Sequence, residues 1–87
     1  MIREDVRRVV DNLLIEIAPE VDPRALDPGE NLRAQVDLDS IDYLNFMIAL
    51  GQKFGVEIRE TDFARLVSLD RIVEFVSEKS RTAGSAR

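Results

Sequence analysis

Residues 37–55, DLDSIDYLNFMIALGQKFG, are the stretch of sequence that decides the fold. Asp39 and Ser40 are residue types that begin helices, because their side-chain oxygens accept hydrogen bonds from the free N–H groups of the first turn. Gly55 is the residue type that most often ends a helix in the left-handed conformation. Between these ends the apolar residues recur at spacings of three and four. The stretch therefore predicts a helix that begins at Asp39 or Ser40 and ends at residue 53 or 54.

This helix has more apolar surface than one side of a small core requires. With Ser40 at 0° and about 100° per residue, one apolar sector lies between about 240° and 340°. A second sector lies between about 40° and 100°, on the other side of Ser40, and contains Ile41, Leu44 and Ile48. Either another part of the chain covers this second sector, or its three side chains are exposed and bind another protein. Periodicity alone leaves both interpretations open.

The sequence before this stretch predicts one more long helix and a long loop. Apolar residues from Ile2 to Ala18 follow one helical face, and Pro19 ends the helix near Ile17 because proline does not fit a helix interior. Residues 19–36 contain all three prolines of the chain and no sustained periodicity. We expect them to form a loop held against the core, with a short helical turn at residues 30–35.

The sequence after this stretch predicts a brief helix and a last long one. Thr61 is the expected cap of the brief helix, which runs to Leu66, and Ser68 is the expected cap of the last helix. The buried stripe of the last helix is predicted to be Leu69, Ile72, Val73 and Val76.

The predicted elements define the fold class and the domain boundary. We expect an all-α domain over residues 1–79, a small bundle of three main helices plus one short helix, with a long loop between the first and second helices. Residues 80–87 have nothing to bury and are predicted to be a disordered C-terminal tail.

The composition excludes several classes of function. The chain has 87 residues, no His and no Cys, so the usual proton shuttle, thiol nucleophiles and zinc–thiolate sites are absent. Its 12 basic and 17 acidic residues give a net charge of −5, which disfavours binding to nucleic acid. No apolar run reaches the ~20 residues that a membrane span needs. No signal peptide is evident, so the cytoplasm is the expected location.

Ser40 permits more than one interpretation on its own. It matches a helix cap, and Ser68-Leu69-Asp70 repeats the Ser-apolar-Asp pattern of Ser40-Ile41-Asp42. As a nucleophile it would need a base, and Lys53 points away from it at about 220°. A metal loop from Asp37, Asp39 and Asp42 lacks the Gly turn and distal Glu of a calcium loop. We therefore predict neither an enzyme nor a metal site.

Residues 36–44, VDLDSIDYL, followed by FGVEI at 54–58, resemble the acyl carrier proteins. The hallmark of that family is Asp-Ser-Leu, or Asp-Ser-Met/Ile, at the start of the second helix, and the resemblance covers about residues 2–78. It implies an attachment motif of Asp39, Ser40 and Ile41. A phosphopantetheinyl transferase would attach 4′-phosphopantetheine from coenzyme A to the Ser40 hydroxyl. The terminal thiol of that arm would hold acyl groups as thioesters.

The resemblance also implies partners. A monomeric carrier would deliver acyl groups to acyl-loading and acyl-transfer enzymes of fatty acid, lipid or polyketide metabolism. The positions expected to bind these partners are Ile41, Asp42, Leu44 and Ile48. Asp42 is the only carboxylate inside the second helix, where fatty-acid carriers have several, so a specialised carrier is an equal expectation. The alternative function is an unmodified helical interaction module in which Ser40 is only a helix cap.

Overall fold

The protein is described by a computed structural model, which covers the backbone of residues 2–85 and the side chains of residues 2–79. Every element within this range is helical, which confirms the predicted all-α class. The three long helices are α1 (Arg3–Ile17), α3 (Ser40–Phe54) and α5 (Leu69–Ser85). Two four-residue helices, α2 (Leu32–Gln35) and α4 (Glu60–Phe63), and a 3-10 turn at Pro23–Ala25 lie between them.

The core forms where α1 packs against α3 and α5. Each long helix contributes one apolar stripe, as the periodicity predicts. The fully buried residues of these stripes include Val6, Val10 and Leu14 of α1, Phe46, Met47 and Leu50 of α3, and Leu69, Ile72 and Val76 of α5. Burial of one side of α3 in this core holds the start of that helix in place.

The long loop is held to the rest of the fold by backbone and side-chain hydrogen bonds. Leu32 is fully buried and donates its N–H to the carbonyl of Val67 at 2.6 Å. Gln35 accepts from the N–H of Asp27 at 2.7 Å and donates back to the Asp27 carbonyl at 2.9 Å. Helix α2 falls within the predicted helical turn at 30–35, and this segment leads directly to the start of α3.

The ends of α3 confirm the sequence prediction, whereas those of α4 correct it. Gly55 ends α3 with φ 65°, in the left-handed region that favours glycine. Helix α4 begins after Arg59, not at a Thr61 cap, and it ends at Phe63 instead of Leu66. The reason is that Asp62, the third residue of the helix, accepts the N–H of Arg59 at 3.0 Å with its carboxylate. This hydrogen bond fixes the start of the helix at the residue after Arg59.

Helix α5 extends beyond the predicted domain boundary at residue 79. It begins after Ser68, whose Oγ accepts the N–H of Arg71 at 3.2 Å, which confirms the predicted cap. The helix continues to Ser85, so the backbone of residues 80–85 is helical where the sequence predicts a disordered tail. A helix propagates readily once its first turns are formed, because each further residue adds a hydrogen bond. Residues 86–87 lie outside the described residues.

Candidate functional site

The residue that caps the first turn of α3 is Asp39 and not Ser40. Asp39 lies in the extended conformation before the helix, and its Oδ1 accepts the N–H of Asp42 at 2.8 Å. Its carbonyl accepts the N–H of Tyr43 at 2.9 Å. Ser40 is therefore the first helical residue. The interpretation of Ser40 as a helix cap is wrong.

The Ser40 hydroxyl is exposed and unpaired. Within the described residues Ser40 Oγ makes no hydrogen bond, and its side chain faces solvent. Ser68, in the same Ser-apolar-Asp pattern, differs on both counts, because it is only 4% exposed and its Oγ accepts from Arg71. The hydroxyl of Ser68 therefore has a structural role, whereas the hydroxyl of Ser40 is accessible and has no structural role within the described residues.

The position of Ser40 fits a phosphodiester. The first N–H groups of a helix have no partner within the helix, and the dipole makes this end positive. An anion attached here is therefore stabilised by the helix itself. In the part of the chain that the structure describes, no group of three or more acidic side chains is arranged to hold a metal ion, so Asp37, Asp39 and Asp42 form no such site.

A groove of about 770 Å³ opens beside Ser40. Its lining includes Ser40 with Leu38, Tyr43, Leu44, Phe63 and Val67. Tyr43 is held across the groove by its hydroxyl, which donates to the carbonyl of Leu66 and, at 3.3 Å, to that of Phe63. The rings of Tyr43 and Phe63 meet edge to face with their centroids 6.3 Å apart. The groove thus joins α3 to α4 and to the loop before α5.

Arg33 lies over the Tyr43 ring. Its guanidinium carbon is 5.4 Å from the ring centroid, and its Nε donates to the carbonyl of Leu38 at 3.3 Å. Burial raises the pKa of the Tyr43 hydroxyl, and the charge of Arg33 opposes part of this rise. No residue spacing predicts this arrangement, because Arg33 and Tyr43 come into contact only through the fold of the long loop.

The second apolar sector of α3 is exposed. Ile41 is 69% exposed, Leu44 is 42% exposed and Ile48 is 49% exposed. The interpretation that the first helix or the loop covers these side chains is therefore wrong. Asp42 lies half-buried beside them. Together Ile41, Asp42, Leu44 and Ile48 form a surface next to Ser40, which we call the α3 face.

Comparisons with known proteins give a family match and several relatives. The family model of the phosphopantetheine attachment site matches residues 8–76. The chain is 33% identical over 75 residues to an acyl carrier protein of Campylobacter concisus, covering 86% of this chain and 91% of that one. It is 32% identical over 75 residues to an acyl carrier protein of Campylobacter curvus, with the same coverage of both chains.

A plant relative is longer. The chain is 31% identical over 75 residues to acyl carrier protein 2, mitochondrial, of Arabidopsis thaliana, covering 84% of this chain but only 60% of that protein. The matched family model and these identities show that the chain belongs to the phosphopantetheine-attachment family, among the acyl carrier proteins. Its function is that of an acyl carrier, and its prosthetic group is 4′-phosphopantetheine.

Proposed function

We propose that Ser40 is the residue that carries the 4′-phosphopantetheine, with Asp39 and Ile41 completing the attachment motif. The observation that carries this proposal is the exposed Ser40 hydroxyl, which has no hydrogen-bond partner among the described residues because Asp39 caps the helix in its place. Ser40 also lies at the N-terminal end of a long helix, where the helix dipole stabilises negative charge. Ile41 is largely exposed, so it leaves the hydroxyl open to an enzyme.

The prosthetic group would supply what the chain lacks. The sequence contains no Cys, so a thiol that holds acyl groups as thioesters must come with the attached arm. The residues of the chain have the other roles: Ser40 anchors the arm, and the first turn of α3 stabilises its phosphodiester. We propose that the chain acts as a substrate and shuttle, and that its partners perform the catalysis.

The α3 face is the proposed docking surface for a phosphopantetheinyl transferase and for acyl-loading and acyl-transfer enzymes. It combines three exposed branched apolar side chains with one carboxylate, directly beside Ser40. Exposed apolar side chains that cluster on one surface favour protein contacts. Electrostatic attraction should contribute less to docking, because Asp42 is the only carboxylate within α3.

The remaining proposals concern the state of the chain. We propose a cytoplasmic monomer whose carrier domain spans residues 1–79, with residues 80–87 as a tail. The family match ends at residue 76, and Val76 is fully buried, which supports a boundary soon after it. Among the described residues no helix is long and apolar enough to cross a membrane.

Incubation with coenzyme A and a broad-specificity phosphopantetheinyl transferase tests the assignment of Ser40. Intact-mass spectrometry should show one added phosphopantetheinyl group, and peptide mapping should place it on the peptide that contains Ser40. Ser40→Ala should abolish the addition and leave the helical circular-dichroism signal unchanged, because Ser40 Oγ makes no hydrogen bond within the described residues.

Ser68→Ala is the matched control within the chain. It should be modified like the wild type but should unfold more easily, by about 1 kcal/mol, because it removes a helix cap. Modification that persists in Ser40→Ala, or a wild-type chain that no transferase modifies, would refute the assignment.

A further inference from the structure

Arg33 has donors that the fold does not use. Of its five N–H donors, Nε donates to the carbonyl of Leu38, and within the described residues the two terminal nitrogens have no acceptor. The contact with the Tyr43 ring and the hydrogen bond to Leu38 hold the guanidinium at two points. A fixed guanidinium with free terminal nitrogens is arranged to bind an anion by two parallel hydrogen bonds.

The anchors of Arg33 lie close to Ser40 on both sides. Leu38 precedes Ser40 by two residues, which span at most about 7 Å of extended backbone. Tyr43 follows Ser40 by three residues in the same helix, which places their Cβ atoms about 5–6 Å apart. The guanidinium is held between these two anchors and lines the same groove as Ser40. Among the described residues that line this groove, Arg33 is the only charged one.

The local charges favour a cation at this point. Three carboxylates, Asp37, Asp39 and Asp42, lie within three residues of Ser40 in the sequence, and the whole chain has a net charge of −5. A phosphodiester on Ser40 would add one more negative charge beside these carboxylates. The N-terminal end of α3 itself contributes a partial positive charge, equivalent to about half an elementary charge.

We propose that the Arg33 guanidinium binds the phosphodiester of the prosthetic group on Ser40 and holds the start of the arm over the Tyr43 side of the groove. Arg33 is thus a positioning residue, and this inference rests on the proposed function of Ser40. Its terminal nitrogens donate to the phosphate oxygens, while Nε keeps its bond to Leu38. The contact gives the arm a preferred direction at its anchored end.

Nuclear magnetic resonance of the full chain before and after modification tests this contact without any substitution. The Nε–Hε signal of Arg33 should shift when the group is attached. The matched signal of Arg59 should stay in place, because Arg59 is exposed at the other end of α3 and pairs with Glu57 at 3.1 Å. Intact mass confirms in the same samples that Ser40 has been modified.

Phosphorus resonance of the modified chain then tests the contact from the side of the phosphate. In Arg33→Gln the phosphorus signal should move from its wild-type position towards that of the same group on a short unfolded peptide containing Ser40. Arg33→Lys, which keeps the charge without the planar fork, should lie between them, and Arg59→Gln should match the wild type. The difference between wild type and Arg33→Gln should narrow from 0.1 M to 1 M salt, as the Debye length falls from about 10 Å to about 3 Å.

The outcomes separate this inference from the proposed function. If Ser40 is never modified, the proposed function fails and the inference fails with it. If Ser40 is modified but the Arg33 signal does not shift, or Arg33→Gln leaves the phosphorus signal in its wild-type position, the inference alone is wrong. It is equally wrong if Arg33 responds only when an acyl group is loaded on the thiol, because the contact is then to the cargo. Circular dichroism of each variant confirms that it is folded.

Discussion

Two alanine substitutions two residues apart in α3, and so on opposite sides of the helix, separate the docking surface from the core. Ile48→Ala and Leu50→Ala remove the same number of carbon atoms, but Leu50 is fully buried whereas Ile48 is 49% exposed. Removing Leu50 should cost about 2–5 kcal/mol through lost burial and the cavity that remains. At about 0.8 kcal/mol for each buried CH₂, the three carbons of Ile48 would be worth about 2.4 kcal/mol if buried, and roughly half of that here.

The helix propensity of alanine reduces the cost of Ile48→Ala further. Alanine is favoured over isoleucine in a helix by a few tenths of a kcal/mol, so the net loss should be about 0.5–1 kcal/mol. For a domain of this size 1 kcal/mol corresponds to about 4–8 °C in melting temperature. We therefore expect Leu50→Ala to lower the melting temperature by at least about 8 °C, and Ile48→Ala by less than that.

The rate of phosphopantetheinylation, measured by intact mass, provides the second readout. Ile48→Ala should slow the reaction because it removes part of the α3 face, whereas Ile15→Ala should not. Ile15 is a matched control, since it is 39% exposed but lies on α1. Equal destabilisation by Ile48→Ala and Leu50→Ala would refute the assignment of Ile48 to an exposed surface. Equal reaction rates for Ile48→Ala and Ile15→Ala would refute the docking role.

Two further predictions concern charge. The melting temperature should rise with added salt, because a net charge of −5 opposes compaction and exposed ion pairs such as Arg59–Glu57 are worth little. A flat or falling response would show that local pairs, such as the partly buried Arg7–Asp11 pair, dominate. The fold raises the pKa of Tyr43 above its ordinary value of 10.0. The contribution of Tyr43 to the free energy of unfolding is therefore fully present below pH 10.0 and is lost as the pH rises through the folded pKa. Stability should therefore fall above about pH 10 in the wild type, and Tyr43→Phe should remove the part of this fall that is due to Tyr43. Tyr43 is the only tyrosine, so absorbance titration reports it alone, and a pKa below 10.0 would contradict the prediction.

Local signals in the sequence are sufficient to predict helices α1 and α3, but not the C-terminal end of α5. Pro19 and Gly55 act through the backbone itself, since proline lacks an N–H and glycine tolerates positive φ, so their effects do not depend on the rest of the fold. The ends of α1 and α3 could therefore be predicted. The apolar stripes could be predicted for the same reason, because helical geometry alone determines which side chains share a face.

The remaining features depend on contacts between distant segments. Arg59 and Asp62 define the start of α4 through a hydrogen bond between the Arg59 N–H and the Asp62 carboxylate. Thr61 is also a favoured capping residue, and local propensity does not choose between the two starts. The exposure of Ile48 depends on where α1 packs, which periodicity leaves undetermined. The contact between Arg33 and Tyr43 requires the folded long loop, so no spacing in the sequence indicates it.

The clearest case is the pair of serines that share one local pattern. Ser68 precedes its helix and is buried, so its hydroxyl is used by the backbone of the first turn. Ser40 differs because the residue before it is Asp39, and a carboxylate at the capping position satisfies the same turn. The capping requirement is therefore met one residue earlier, and the Ser40 hydroxyl remains at the surface with no structural task within the described residues. Because Asp39 caps the first turn of α3, the stability of this helix does not depend on the Ser40 hydroxyl. The modification that we propose at Ser40 should therefore leave the helix intact.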